Sequence, residues 1–253
     1  MSELADCVEP LNNPSQIPLK AKERSKEFFR RYCELREYKC SRIEKSNQQG
    51  VRTPDLEMSA DGVRVIAEAK DLNANDEDIR CWREERQGNT IVHGREPGKR
   101  ARSLIESARG QLRPHAEAGV PSIVVLYDNI LIDGTRAYPS HPSLSFPFSP
   151  LTSTDIDVAL YGLWQANVRL HPGGQTESLG DTRSRWRLMH DRQVISAVLV
   201  LYGHPAKDDL FVFAYHNFWA GAPLPRNIFN GEDDRHFAKA SNPDTRPERW
   251  TLM

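Results

Sequence analysis

The chain has few of the features that mark disulfide-rich, membrane and strongly charged proteins. It contains 4 cysteines in 253 residues, Cys7, Cys33, Cys40 and Cys81, and none lies in a Cys-x-x-Cys pair. We therefore expect reduced structural or incidental thiols rather than a disulfide framework or a zinc site. No apolar run approaches the roughly 20 residues of a membrane-spanning helix. The net charge of -1 gives no general electrostatic attraction to an anionic or cationic partner.

The remaining composition is that of a globular protein with many loops. Apolar residues make up 38% and charged residues 27% of the chain, while 17 prolines and a mean hydropathy of -0.62 indicate extensive irregular structure. The first residues are acidic and include no apolar segment, which predicts no secretory signal and a cytoplasmic protein without a membrane partner. One elaborated domain is the favoured organisation.

The segment 54–70 is predicted to form a hairpin around which the chain is organised. Asp61-Gly62 suits a type I′ turn, because Asp tolerates and Gly readily adopts the positive φ that both central positions need. If these are the two loop residues, Ala60 faces Val63 and the register of the whole hairpin is fixed. One face then carries Leu56, Met58, Val63, Val65, Ala67 and Ala69, and the other carries Asp55, Glu57, Arg64, Ile66, Glu68 and Lys70.

This register places two carboxylates opposite one another. Asp55 lies across from Glu68, and Lys70 projects from the same face two residues further on. Directly opposed residues have Cβ atoms about 5 Å apart, and like charges at that distance are destabilising unless positive charge lies between them. A divalent cation and Lys70 are the candidates for that positive charge.

Further elements are predicted on both sides of the hairpin. The predicted segments are a helix over 20–37, a strand over 38–45, a helix over 99–113 ended by Pro114, a buried strand over 121–128, a helix near 154–163, and strands over 194–202 and 210–216. Within 154–163, residues 156–161 also alternate in the way that a strand would. Residues 71–98 are polar and without a clear period, which predicts an inserted loop. Such a loop is either functional, for example gating a substrate, or simply disordered.

The order of these elements, with Pro54-Asp55 in one hairpin strand and Glu68-Ala69-Lys70 in the other, resembles the PD-(D/E)XK nuclease superfamily. The resemblance implies a restriction-endonuclease-like α/β fold, in which a mixed sheet is flanked by helices in an α-β-β-β-α-β core. Residues 20–135 would form this core. Residues 1–19 would be an irregular N-terminal arm, and 136–253 a C-terminal α/β extension that packs on the core within the same domain.

The resemblance also implies catalytic roles. Asp55 and Glu68 would bind Mg²⁺ or Mn²⁺, with the backbone carbonyl of Ala69 as a further ligand. Lys70 would orient or help to deprotonate the attacking water and stabilise charge on the scissile phosphate.

Two further residues are candidates for the same site. Many superfamily members add a glutamate from the first helix, and here Glu27, which precedes a Phe28-Phe29 pair, is preferred over Glu23. Some members place a glutamine on the helix that follows Glu-x-Lys, and Gln111 has a comparable position. For each residue the alternative is an ordinary solvated helix side chain.

The leading functional hypothesis is a metal-dependent endo- or exonuclease that acts on nucleic acid, with DNA favoured over RNA. Basic residues are concentrated in 20–45 and 99–113, where they would form either phosphate contacts or solvated helix faces. The alternatives are a non-catalytic nucleic-acid or protein-interaction module on the same fold and an RNA-directed nuclease that serves as a toxin or defence effector. The sequence leaves a homo-oligomer open.

Overall fold

The structure is a computed structural model, and it describes most of the chain up to residue 129 and the strands that follow. The described residues are 23–45, 52–87, 98–129, 131–132, 135–136, 156, 159–160, 168–170, 176–178, 193–203, 209–217, 219–238 and 251–252. The predicted arm over 1–19 lies outside them, as does most of 137–192.

The described residues contain three helices and twelve strands. In chain order these are α1 (Arg24–Leu35), β1 (Lys39–Arg42), β2 (Leu56–Ala60), β3 (Val63–Asn73), α2 (Asp76–Arg86), α3 (Lys99–Glu117), β4 (Ser122–Asn129), β5 (Leu131–Ile132), β6 (Thr135–Arg136), β7 (Val168–Leu170), β8 (Thr176–Ser178), β9 (Ala197–Tyr202), β10 (Phe211–His216), β11 (Arg235–Ala238) and β12 (Thr251–Leu252). The helices and strands predicted for α1, β1, β2, β3, α3, β4, β9 and β10 are confirmed, with shorter or longer bounds.

One mixed sheet organises the fold. Its strand order is β1-β2-β3-β4-β9-β10-β11-β12, while β5-β6 and β7-β8 form separate two-stranded pairs. Strands β1 to β3 are antiparallel, β3, β4 and β9 run parallel, and β9 and β10 are antiparallel again. The buried strand β4 is thus internal, between β3 and β9, and the sheet continues directly into the C-terminal half of the chain.

Helices cover both faces of the sheet, which confirms the predicted mixed α/β architecture. On one face α1 packs through Phe29 and Tyr32 against alternate residues of β2, β3 and β4. On the other face α3 packs through Ile105 and Leu112 against the intervening residues, including Ile66 of β3. Because side chains alternate along a strand, β3 supplies apolar groups to both cores. The isolated helical residues Ile156, Ala159 and Leu160 are buried in the second core, at the spacing that predicted a helix there.

The hairpin has the predicted turn and register. Asp61 has φ 50° and Gly62 has φ 78°, as a type I′ turn requires. Ala60 pairs with Val63, and the ladder continues to Leu56 opposite Ala67. The turn chemistry therefore determines which residues of β2 and β3 share a face.

The predicted end of α3 at Arg113 is wrong, because the helix continues through Pro114 to Glu117. A proline within a helix removes the hydrogen bond of its own missing N–H, but its carbonyl can still accept one. Here the N–H of Ala118 donates to the carbonyl of Pro114 at 3.3 Å. One lost hydrogen bond is not enough to end a helix whose preceding turn is anchored by the buried Leu112.

The prediction of an unstructured loop over 71–98 is also wrong in its first half. Strand β3 continues to Asn73, which pairs with Asn129 of β4, and α2 follows at Asp76. Arg80 makes ion pairs of 2.8 Å with Glu77 and with Glu84, at helical spacings of three and four. Such surface pairs support a helix that has little apolar periodicity. Residues 88–97 lie outside the described residues.

A pair of histidines lies where β10 and β11 run in parallel. Nε2 of His216 is 2.8 Å from Nδ1 of His236, and Nε2 of His236 is 2.9 Å from the carbonyl oxygen of Phe229. Because a carbonyl can only accept, Nε2 of His236 carries a proton and donates to Phe229. In the neutral pair, Nδ1 of His236 then accepts the N–H of His216.

We expect His216 to make the folded state acid-sensitive. Burial, with contributions from His236 and Arg226, lowers the pKa of His216 to about 4, whereas an unfolded histidine titrates near 6.5. The unfolded state therefore binds the extra proton first, and stability falls as the pH drops from about 6.5 towards 4. Between pH 7 and pH 5 the loss from this group is about 2 kcal/mol. Urea unfolding of the wild type and of His216→Gln at both pH values measures it.

A second histidine provides the control for this experiment. His115 is only partly buried, so His115→Gln is expected to retain most of the acid sensitivity of the wild type. An equal loss of stability between pH 7 and pH 5 in the wild type and in His216→Gln contradicts the prediction.

Candidate active site

Asp55 and Glu68 meet where β2 begins beside the middle of β3. The backbone N–H of Asp55 donates to Oε2 of Glu68 at 3.1 Å, and the N–H of Ala69 donates to Oδ2 of Asp55 at 3.2 Å. Each carboxylate therefore accepts a main-chain hydrogen bond from the opposite strand. These bonds offset part of the repulsion between two like charges that the turn forces together.

Two side chains converge on the buried Glu68. Nζ of Lys70 lies 2.7 Å from Oε1 of Glu68, on the same face of β3. Nε2 of Gln111, from α3, donates to the same Oε1 at 2.7 Å and to the carbonyl of Thr53 at 3.2 Å. The structure thus brings together Asp55, Glu68, Lys70 and Gln111, all of which the sequence proposed for the site.

A lysine from α1 completes the cluster in place of the expected glutamate. Nζ of Lys26 lies 2.5 Å from Oδ1 of Asp55. Glu27 instead makes ion pairs with Arg30 at 3.1 Å and with Arg42 at 3.8 Å, so it is not brought to Asp55 and Glu68. Successive helix residues point about 100° apart. Because the buried Phe29 fixes the rotation of α1 about its axis, it also fixes the different directions in which Lys26 and Glu27 point.

The start of α1 is held in place by β3. The backbone N–H and the hydroxyl of Ser25 donate to the two oxygens of Asp71 at 2.9 and 3.0 Å. Asp71 follows Lys70 and so projects to the opposite face of the sheet, where a carboxylate stabilises the helix N-terminus. Sequence reasoning missed both Lys26 and Asp71, because each depends on how α1 docks on the sheet.

The charges of the site cancel, but the burial of Glu68 disfavours its ionised form. The side chain of Glu68 is 2% exposed, and this burial raises its pKa, while the ammonium of Lys70 opposes the shift and the charge of Asp55 adds to it. Two carboxylates face two ammonium groups, Lys26 and Lys70. The four charges of the ionised site therefore cancel.

The oxygen atoms at this site fit a hard divalent cation. Two carboxylates are adjacent, and the carbonyl of Ala69 points to the same edge of β3 as its N–H, which contacts Asp55. Mg²⁺ is commonly held by one or two carboxylates, with water and substrate phosphate completing its coordination. Within the described part of the chain, no group of three or more His, Cys, Asp or Glu side chains is placed to hold a metal.

No protein-family model, curated protein or solved structure matches the chain. The helices that the structure describes include none that is long and apolar enough to cross a membrane.

Proposed function

We propose that this protein is a Mg²⁺- or Mn²⁺-dependent nuclease of the PD-(D/E)XK type, which hydrolyses phosphodiester bonds, in DNA rather than RNA. The observation that supports this most strongly is the convergence of Asp55, Glu68 and Lys70 on one face of the hairpin, with Glu68 oriented by Gln111. Folding alone gives no reason to bury a carboxylate against another, since an apolar pair would be less costly.

The path of the chain supports the same proposal. A helix, three antiparallel strands, a helix and a parallel strand follow one another in α1, β1, β2, β3, α3 and β4, with α2 inserted before α3. This is the α-β-β-β-α-β order that the resemblance to restriction-endonuclease-like proteins implies. The paired carboxylates lie where its second strand begins beside the middle of its third strand.

Each residue of the site has a chemical role in this proposal. Asp55 and Glu68 would hold the cation together with the carbonyl of Ala69, and a bound cation would lower the pKa of a water molecule and neutralise phosphate charge. Lys70 would orient the attacking water and stabilise negative charge on the phosphate. Gln111 acts through Glu68 and is a positioning residue.

A cleavage assay tests the proposal. Purified protein is incubated with single-stranded DNA, double-stranded DNA and RNA in Mg²⁺, Mn²⁺ or a chelator. We expect metal-dependent cleavage of DNA that falls about 10³-fold in Asp55→Ala, which loses one of the two metal-binding carboxylates. Glu34→Ala removes an exposed carboxylate from α1 and is expected to leave the rate unchanged. If the wild type and Asp55→Ala are equally inert with every substrate and metal, the nuclease proposal fails.

A non-catalytic nucleic-acid or protein-interaction module is the second candidate. One observation favours it: the ammonium groups of Lys26 and Lys70 pair with Asp55 and Glu68 and neutralise their charge without a metal ion. A module of this kind would show no specific thermal stabilisation by Mn²⁺, whereas a metal-binding nuclease would be stabilised in a concentration-dependent way. Cleavage of RNA alone would instead indicate an RNA-directed nuclease.

A further inference from the structure

Lys26 binds one of the two carboxylates that would hold the proposed cation. Its ammonium is 2.5 Å from Oδ1 of Asp55, and the two side chains are 21% and 11% exposed. Lys26 comes from the first turn of α1, whereas the rest of the cluster comes from the hairpin and α3. Lys26 is therefore the group by which α1 contacts the paired carboxylates.

The other three carboxylate oxygens each accept hydrogen bonds from groups of the hairpin or of α3. Oδ2 of Asp55 and Oε2 of Glu68 accept backbone N–H groups, and Oε1 of Glu68 accepts Lys70 and Gln111. In the part of the chain that the structure describes, Oδ1 of Asp55 is bound by the Lys26 ammonium. That contact can be exchanged without breaking the main-chain hydrogen bonds that hold the two strands.

The backbone at Lys26 is fixed although its side chain is partly exposed. Ser25 is anchored to Asp71 by two hydrogen bonds, and Phe29 is fully buried one turn later. A lysine carries its charge on a flexible four-carbon chain, so the ammonium can move several ångströms while α1 stays in place.

We infer that Lys26 competes with the divalent cation for Asp55 and, once displaced, binds a phosphate oxygen of the nucleic acid. This inference rests on the proposed function. A divalent cation that binds the two carboxylates neutralises their charge. The ammonium groups of Lys26 and Lys70 then give the site a net positive charge. An anionic phosphodiester neutralises that excess, so Lys26 links the arrival of the cation to the binding of substrate.

The first half of the inference is tested by metal binding alone. Mn²⁺ is titrated calorimetrically into the wild type, Lys26→Met, Lys26→Arg and the control Lys39→Met. Lys39 is an exposed lysine of β1 that pairs with Ser59, near the turn of the hairpin and away from the paired carboxylates. Lys26→Met is expected to bind Mn²⁺ about fivefold more tightly, because it lacks the competing charge. Lys26→Arg and Lys39→Met are expected to bind like the wild type. Thermal melting without metal verifies that each variant is folded.

The second half is tested by the salt dependence of DNA binding. Lys70→Met, in which the proposed hydrolysis is blocked, is compared with the double variant Lys26→Met/Lys70→Met on a DNA duplex in saturating Mn²⁺. Loss of one phosphate contact is expected to weaken binding severalfold and to reduce the slope of log K against log salt by about one. If the slope of log K against log salt is the same in both proteins, the proposed contact between Lys26 and a phosphate is contradicted.

The results also separate this inference from the proposed function. If the wild type binds Mn²⁺ and cleaves DNA while Lys26→Met binds Mn²⁺ with unchanged or lower affinity, the competition is refuted and the nuclease proposal stands. If neither protein binds Mn²⁺ and neither cleaves nucleic acid, the proposed function is refuted, and the role of Lys26 with it.

Discussion

Replacing Glu68 by Gln is expected, under the proposed function, to reduce cleavage of DNA about 10³-fold while the protein remains folded. The substitution keeps the size of the side chain but removes the negative charge and turns one acceptor oxygen into an NH₂ group. That group must face a donor, either the N–H of Asp55 or the side chains of Lys70 and Gln111. At least one hydrogen bond is lost, at a cost of about 1 to 2 kcal/mol, and one of the two carboxylates proposed to hold the cation disappears.

The measurements for this prediction are the single-turnover cleavage rate, the unfolding free energy and the Mn²⁺ affinity of each protein. Glu57→Gln is the matched control, because Glu57 lies on the same face of the hairpin but is 38% exposed and pairs with Arg64 at 2.8 Å. Its cleavage rate is expected to stay within about twofold of the wild type, since an exposed ion pair contributes little. Retention of the wild-type rate by Glu68→Gln would exclude Glu68 as a metal-binding catalytic group.

The geometry of the hairpin could be predicted because it is local. A two-residue Asp-Gly turn fixes its own backbone, and the period of two along each strand then places every side chain. The positions of Asp55, Glu68 and Lys70 relative to one another follow from that register alone. Gln111 could be proposed only through the resemblance to a nuclease superfamily, because the contact between α3 and the hairpin spans 43 residues of sequence.

The features that the sequence did not predict depend either on how α1 packs on the sheet or on several small energetic contributions within a helix that offset one another. The rotation of α1 on the sheet decides that Lys26 rather than Glu27 reaches the site, and a helix stripe defines that rotation too coarsely to separate adjacent residues. In α2 the ion pairs of Arg80 compensate for poor apolar periodicity. In α3 the packing of Leu112 outweighs the cost of Pro114.

A buried carboxylate far from the candidate active site is expected to have the largest effect on stability. The side chain of Asp234 has no exposed surface and joins α1 to the C-terminal strands. Its Oδ2 accepts the hydroxyl of Tyr32 and the N–H of Gly231, each at 2.7 Å, and its Oδ1 accepts the N–H of Val212 at 2.8 Å. Nε of Arg36 lies 3.4 Å away and supplies the compensating charge. One side chain therefore satisfies several donors that would otherwise be buried without partners.

Asp234→Ala is expected to lower the free energy of unfolding by about 3 to 5 kcal/mol, because it leaves those donors and a partly buried guanidinium without their acceptor. Asp234→Asn retains one acceptor oxygen and is expected to lose less. The neighbouring Asp233 is exposed, so Asp233→Ala should change stability by less than about 0.5 kcal/mol. Guanidinium unfolding at pH 7 compares the three variants with the wild type. A loss below about 1 kcal/mol for Asp234→Ala would mean that water reaches these donors and that the carboxylate of Asp234 contributes little to holding α1 against the C-terminal strands.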